Sequence, residues 1–248
     1  MFIIFTSIIL VISFSASASE ILAAAMQDYG RAVIVGTTST YGKGSVQNVV
    51  DIDQSLPAQM DDVKPLGSLK ITIQKFYRID GSTTQLKGVI PDIVLPDNYS
   101  YLEIGEKELD YPLAWDQIPA VKYQKWSSNL SISDLKKEFE KRSKKDTILK
   151  AIDEAALWLK NQRDMSLYSL EYEAYQKNKE DVKTKSSKYK ELNKVKTGLV
   201  VSSFQKEDKL ETRLDTVKNA SQKEWYKELE NDVQLYNTYS IMLDMLSK

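Results

Sequence analysis

Phe14-Ser-Ala-Ser-Ala-Ser-Glu-Ile21 runs directly into Leu22-Ala-Ala-Ala-Met-Gln-Asp-Tyr-Gly30. Upstream, Phe2 to Ile12 is almost wholly apolar and rich in isoleucine. Downstream, Gly30 ends the helix-forming run, and Arg31-Ala-Val-Ile-Val-Gly36 reads as a short buried strand. The order is strand, small residues, helix, strand. Such a turn can place a serine at a helix N-terminus, where unpaired N–H groups and the helix dipole stabilise a developing oxyanion. Small neighbours let a substrate backbone come close. Two other readings explain the same stretch. Serine is a favoured helix N-cap, and Ala16-Ser17-Ala18 has the form of a leader cleavage site. No Lys or Arg precedes the apolar run, which argues against a leader. The run is also shorter than the roughly 20 residues of a membrane span.

The second informative stretch is Tyr41-Gly-Lys-Gly-Ser-Val-Gln47. A lysine between two glycines sits where the backbone can turn sharply and project it inward. A neutral lysine can take a serine proton and return it to a leaving amine. Gln47, four residues on, is near enough to orient the ammonium group. The segment from Gly36 to Lys43 superficially resembles a phosphate-binding loop. That motif needs four residues between its glycines, Ser or Thr after the lysine, and then a helix. Here five residues intervene, Gly44 follows the lysine, and the next segment is β-like.

Composition narrows the chemistry. The 248 residues contain no histidine and no cysteine. A Ser-His-Asp triad, a histidine shuttle, thiol catalysis, Cys or His zinc sites and disulfides are therefore excluded from this chain. Nucleophilic chemistry would have to use a lysine or a carboxylate as base. The net charge of −1 gives no reason to expect a nucleic-acid partner. The family resemblance set out below implies no metal or organic cofactor.

Seven of the nine glycines lie in residues 1–97, where strand and turn signals alternate. Val46–Ile52 and the alternating Leu69–Ile79 read as strands, Asp80-Gly81 as a hairpin-type turn, and Val89–Leu95 as a closing apolar segment. Residues 98–127 read as an aromatic connector. After Pro119 there is no proline, and Gly198 is the only glycine, which marks a helical region. Ile148, Leu149, Ile152, Ala155, Ala156 and Leu159 form one helical face. Trp225, Leu229, Val233, Tyr236, Ser240 and Leu243 form a second, and both stripes are expected to be core. Lys177–Lys196 reads as a long exposed helix or a mobile segment. The fold class is α+β for residues 1–97, followed by a mainly helical region over 98–248.

Five motifs occur in order: Ser15-Ala-Ser-Ala-Ser-Glu-Ile21, Gln27-Asp-Tyr-Gly-Arg-Ala32, Tyr41-Gly-Lys-Gly-Ser-Val-Gln47, Ile73-Gln-Lys-Phe-Tyr-Arg78 and Lys87-Gly-Val-Ile-Pro-Asp92. Together they resemble the C-terminal half of the catalytic domain of tail-specific (carboxy-terminal processing) proteases, over about residues 13–97. The connector around Tyr111-Pro-Leu-Ala-Trp-Asp116 and the helical tail are similar to that family's C-terminal extension.

The resemblance implies a partial crotonase-like domain and serine peptidase chemistry through an acyl-enzyme. It puts the nucleophile on Ser17, the base on Lys43, the lysine-positioning glutamine on Gln47, and an oxyanion donor on the Ala18 N–H. Asp28 matches a family aspartate for which a structural role is expected. The implied substrates are proteins or peptides cut near their C-termini, in the periplasm or cell envelope. An adaptor or self-association through the helical region is compatible with it.

This sequence departs from the family pattern in two ways. The loop Thr37–Tyr41 is one residue longer. The family's PDZ domain and upstream Gly-rich oxyanion element do not precede Ser17, so a gene fragment or truncated paralogue, hydrolysing little by itself, is expected. The rival expectations are an inactive remnant acting as a helical binding module and an exported helical protein.

Overall fold

The computed structural model describes residues 7–126, 130–203 and 216–247. It forms two compact units, Met1–Asp92 with Glu103–Ser128, and Ile93–Leu102 with Asn129–Lys248.

The first unit is built on a βαβ element. Strand β1 (Ser7–Val11) leads through a turn into helix α1 (Ala18–Asp28), which returns to strand β2 (Ala32–Gly36). β1 and β2 pair in parallel, Ser7 opposite Ala32 and Val11 opposite Gly36. The apolar segment is thus a strand from Ser7 onward, and residues 1–6 lie outside the described residues. β2 is buried along its whole length, as parallel strands covered on both faces are. The alanines of α1 explain its close seat on this pair. Ala23 and Ala24 join Val11, Ala32, Ile34 and Val89 in one buried cluster, against which Ile9 and Met26 pack.

Strand β3 (Ser45–Asp51) and strand β4 (Ser68–Lys75) form a separate antiparallel ribbon with an irregularity at Val46/Gln47. The strand expected over Leu69–Ile79 stops at Lys75. Beyond it the Phe76 N–H turns to the Gly44 carbonyl, and Arg78 and Ser82 close the turn around Gly81. Val89–Leu95 is strand only at β5 (Ile93–Val94). Residues 103–126 join the first unit, in part through aromatic contacts. The Trp126 N–H donates to the Tyr29 carbonyl, and Arg31 lies over the Trp126 ring at 4.3 Å. The Trp115 indole donates to the Thr83 carbonyl, with Lys87 over its ring at 3.5 Å.

The C-terminal end of α1 is fixed by a polar cluster. Arg78 Nε donates to Asp28 Oδ2 at 3.0 Å, and Arg78 Nη2 donates to Asp28 Oδ1 and, at 3.0 Å, to Gln27 Oε1. Gln27 in turn donates to the Ile90 carbonyl and Asp92, whose second oxygen accepts the Ile34 N–H. Burial works against the Arg78 charge, but the Asp28 hydrogen bond and charge outweigh it and raise its pKa above the ordinary value.

The second unit is helical: α2 (Ile132–Ser143), α3 (Thr147–Asp164), α4 (Tyr172–Lys190), α5 (Thr216–Glu230) and α6 (Val233–Leu246). The α3 face is as expected, with Leu149, Ile152, Ala155 and Ala156 buried. α4 buries no residue, so of the two expectations for Lys177–Lys196 a long exposed helix is found, but only as far as Lys190. The stripe from Trp225 to Leu243 is corrected. Asp232 caps a new helix by accepting the Gln234 and Leu235 N–H groups, which breaks the periodicity. Trp225, Tyr236 and Leu243 are exposed, and the buried residues of α6 are Asn237, Thr238 and Ile241. No described helix is long and apolar enough to cross a membrane.

Replacing Arg78 by methionine keeps the bulk and removes the charge. Asp28 and Gln27 Oε1 would then lose their guanidinium donors in a largely buried site. Breaking a buried pair from one side typically costs about 3–5 kcal/mol. Urea unfolding of R78M followed by tryptophan fluorescence should show a clearly lowered midpoint. A midpoint equal to wild type would mean that the cluster does not hold α1.

Candidate active site

Ser17 stands between β1 and α1 with φ 57° and ψ −113°. A non-glycine residue in this region is strained, and such strain persists only where its surroundings over-determine it. The determinant is Glu20. Its side chain is fully buried, and its two oxygens accept four hydrogen bonds. Oε2 accepts the N–H of Ser17 at 2.8 Å and the N–H of Lys43 at 2.9 Å. Oε1 accepts the N–H of Gly42 at 2.7 Å and the Thr40 hydroxyl. A carboxylate has about four acceptor positions, and all are used. One atom, Glu20 Oε2, therefore makes the backbone of Ser17 a neighbour of the backbone of Lys43.

The three serines of the small-residue string have different surroundings. Ser15 Oγ accepts the Ile12 N–H, and its carbonyl accepts the Tyr41 N–H. Ser19 Oγ donates to the Ala16 carbonyl. Both outer serines serve the turn. The helix start is also selective. The N–H groups of Ser19, Glu20 and Ile21 are paired with Ala16 and Ser17 carbonyls, while the Ala18 N–H has no partner among the described residues.

The lysine loop is held from several sides. Gly42 has φ +87°, and a Cβ on Gly44 would lie 2.4 Å from Thr83 Oγ1, so both positions flanking Lys43 require glycine. Buried Gln85 accepts the Gly44 N–H at 2.9 Å and donates to the Leu113 carbonyl at 3.1 Å. The Leu86 N–H donates to the Gly42 carbonyl, and Thr40 and Val89 bond each other twice. The Lys43 side chain is half-buried and donates from Nζ to Gln47 Oε1 at 3.1 Å. This partner is a neutral amide. Among the described residues Lys43 forms no ion pair.

Of the residues singled out from sequence, the main chains of Ser17 and Lys43 meet at Glu20, and Lys43 Nζ meets Gln47, while no hydrogen bond joins the Ser17 hydroxyl to Lys43 among the described residues. Asp28 lies apart, at the far end of α1, bound to Arg78. Glu20 and Gln85 were not singled out. Glu20 had a signal, because Ser17-x-x-Glu20 has the spacing of a capping box. Gln85 had none, since its partners are distant in sequence. Among the described residues no group of three or more His, Cys, Asp or Glu side chains could hold a metal ion.

Comparison with known proteins matches residues 99–247 to the family described as the C-terminal domain of tail specific protease. Residues 6–95 match Peptidase family S41. The tail-specific protease of Haemophilus influenzae is 41% identical over 170 residues, covering 64% of this chain and 23% of that protein. A carboxy-terminal-processing protease of Bartonella bacilliformis is 40% identical over 108 residues, 41% of this chain and 22% of its own. A protein of Staphylococcus epidermidis named "Probable CtpA-like serine protease" is 32% identical over 181 residues, 57% of this chain and 34% of its own. The chain thus spans between about a fifth and a third of the length of these curated relatives.

Glu20→Gln tests the central carboxylate. The amide keeps the shape but turns an NH2 group toward N–H or O–H donors. Leaving buried donors unpaired costs about 1–3 kcal/mol each. E20Q should lower the urea midpoint and expose the Ser17, Gly42 and Lys43 amides to faster hydrogen exchange. Unchanged exchange at these three amides would show that Glu20 does not organise the site.

Proposed function

This chain belongs to the tail-specific protease family, and we propose that its first unit supplies Ser-Lys catalysis of peptide-bond hydrolysis in protein substrates. The observation that supports it best is the shared Glu20 Oε2, which ties the strained Ser17 backbone to that of Lys43. In this reading the βαβ element is part of a crotonase-like domain.

Ser17 Oγ attacks the scissile carbonyl carbon, and neutral Lys43 takes its proton. Gln47 Oε1 holds Lys43 Nζ in position. The carbonyl π electrons pass to oxygen, and the open Ala18 N–H at the head of α1 stabilises that oxyanion. Lys43 then protonates the leaving amine as the C–N bond breaks, leaving an acyl group on Ser17. Water, deprotonated by Lys43, releases the acid and restores the serine. Asp28 takes no chemical part and holds α1 through Arg78. The substrates are proteins cut near or from their C-termini, as the names of the relatives suggest. The family resemblance also supports a periplasmic or envelope location, which cell fractionation would test.

Reaction with a small fluorophosphonate, read by peptide mass spectrometry, tests the nucleophile. The phosphonyl group should attach to Ser17. Ser17→Ala should abolish both labelling and any hydrolysis of an unfolded protein, while Ser15→Ala and Ser19→Ala should retain labelling. Labelling that survives in S17A would remove Ser17 from the mechanism. Failure to label wild type would favour the alternative of an inactive helical binding module.

Arginine keeps its proton at any usable pH. Lys43→Arg should therefore reduce labelling nearly as far as Lys43→Ala, by at least the roughly 10²-fold typical of a lost general base. An arginine variant with near-normal labelling would exclude a base at this position.

A further inference from the structure

Arg31 belongs to the motif Gln27-Asp-Tyr-Gly-Arg-Ala32, and the serine chemistry makes no use of it. It stands between the end of α1 and the start of β2. Its guanidinium lies over the Trp126 ring at 4.3 Å. Among the described residues its side chain forms no hydrogen bond and no ion pair. None of its nitrogens is buried without a partner, so the unpaired ones are open to solvent. Stacking occupies the flat face of the ion and leaves its fork of in-plane N–H donors unused.

A cleft of about 370 Å³ is lined by Tyr29, Arg31, Gln124, Lys125 and Trp126. Its wall is fixed without Arg31, because the Trp126 N–H donates to the Tyr29 carbonyl at 2.9 Å. Lys125 is exposed and, among the described residues, also forms no ion pair. No carboxylate lines the cleft. Asp28, close by in sequence, is bonded to Arg78, and residues 117–133 contain no Asp or Glu. The carbonyls of Ala25, Met26 and Gln27 at the end of α1 accept the N–H groups of Tyr29, Arg31 and Gly30, so they do not face an anion as open acceptors. Two uncompensated cations thus share one cleft.

We propose that this cleft binds an acidic segment of a partner protein, one carboxylate pairing with Arg31 and a neighbouring one with Lys125. The guanidinium fork matches a carboxylate in a two-point bond, which a point charge does not. The cleft falls in the range of about 300–1,000 Å³ typical of ligand sites, so it has room for more than one carboxylate. The rings of Tyr29 and Trp126 offer flat surface to the carbon stems of the acidic side chains. A nucleic acid fits less well, since a phosphate chain needs a run of cations and the whole chain carries a net charge of −1. Ser17 lies at the other end of α1, twelve residues from Tyr29 or about 18 Å along the axis. A protein held at Arg31 leaves the serine free, and the proposal stands independently of the serine chemistry.

Fluorescence anisotropy with the purified 248-residue chain compares two rhodamine-labelled peptides, Gly-Ser-Glu-Glu-Ser-Gly amide and its Gln-Gln counterpart, at low ionic strength. Wild type should bind the Glu-Glu peptide about tenfold more tightly, the scale of charge-assisted hydrogen bonds. Arg31→Met and Lys125→Met should each lower that ratio by about threefold or more. Lys125 is exposed, so K125M decides the matter even where R31M fails to fold. Lys70→Met removes the same charge from the exposed strand β4 and should leave the ratio unchanged. A wild-type ratio near one overturns the proposal, as does an unchanged ratio in K125M. A loss in K70M equal to that in K125M would mean attraction to overall charge alone, and also overturns it. So would a labelled hexauridylate that binds more tightly than the Glu-Glu peptide and loses its binding in K125M, which would make the cleft a phosphate site.

Discussion

The first unit is organised around one buried carboxylate. Glu20 is not where the proposed chemistry occurs, yet its four hydrogen bonds reach the start of α1 and three successive parts of the lysine loop. Hydrogen bonds to charged groups contribute about 1.5–3 kcal/mol each, roughly twice a neutral bond. The strained Ser17 backbone, of order 1–3 kcal/mol, is small beside such a set. The strain can therefore persist without external help. The same bonds also tie Thr40, Gly42 and Lys43 of the lysine loop to the first turn of α1.

A helix held only at its N-terminus could still swing. α1 is held at both ends, by Glu20 at its first turn and by Asp28 with Arg78 at its last. Between them Ala23 and Ala24 let the helix lie close on β1 and β2. Larger side chains there would lift the helix, and with it the Ser17 backbone and the Ala18 N–H. The alanine run of α1 thus has a positional role. Small residues set the depth at which the helix seats, and charged residues set its two ends.

Much of this was legible in the sequence, and the boundary between what was and was not has a physical basis. The βαβ order is a local pattern, and the glycine-flanked Lys43 and its four-residue spacing to Gln47 are local patterns too. The reach of Glu20 was half legible. Its bond to Ser17 is a three-residue capping pattern, but its bonds to residues 40–43 depend on β2 bringing the chain back. Gln85 was silent, because its partners Gly44 and Leu113 are far away in sequence. The C-terminal stripe misled for the opposite reason. Trp225 to Leu243 fits a helical period well, yet one helix ends at Glu230 and Asp232 caps the next, so the stripe does not run along one continuous helix. A single capping side chain overrode an apolar repeat.

The arrangement also explains why the middle serine of three differs from its neighbours. Ser15 and Ser19 close local hydrogen bonds that shape the turn, so moving either hydroxyl would loosen it. The Ser17 backbone is held by Glu20, leaving the turn's local geometry to the serines beside it. The same separation appears at the lysine. Its N–H and the flanking glycines are fixed by Glu20 and Gln85, whereas its Nζ meets only the neutral Gln47 amide among the described residues. The Gln47 amide is an uncharged acceptor that orients the nitrogen through one hydrogen bond. In both places the main chain is held by other residues, and the side chain that the proposed chemistry would use is left to its own local contacts.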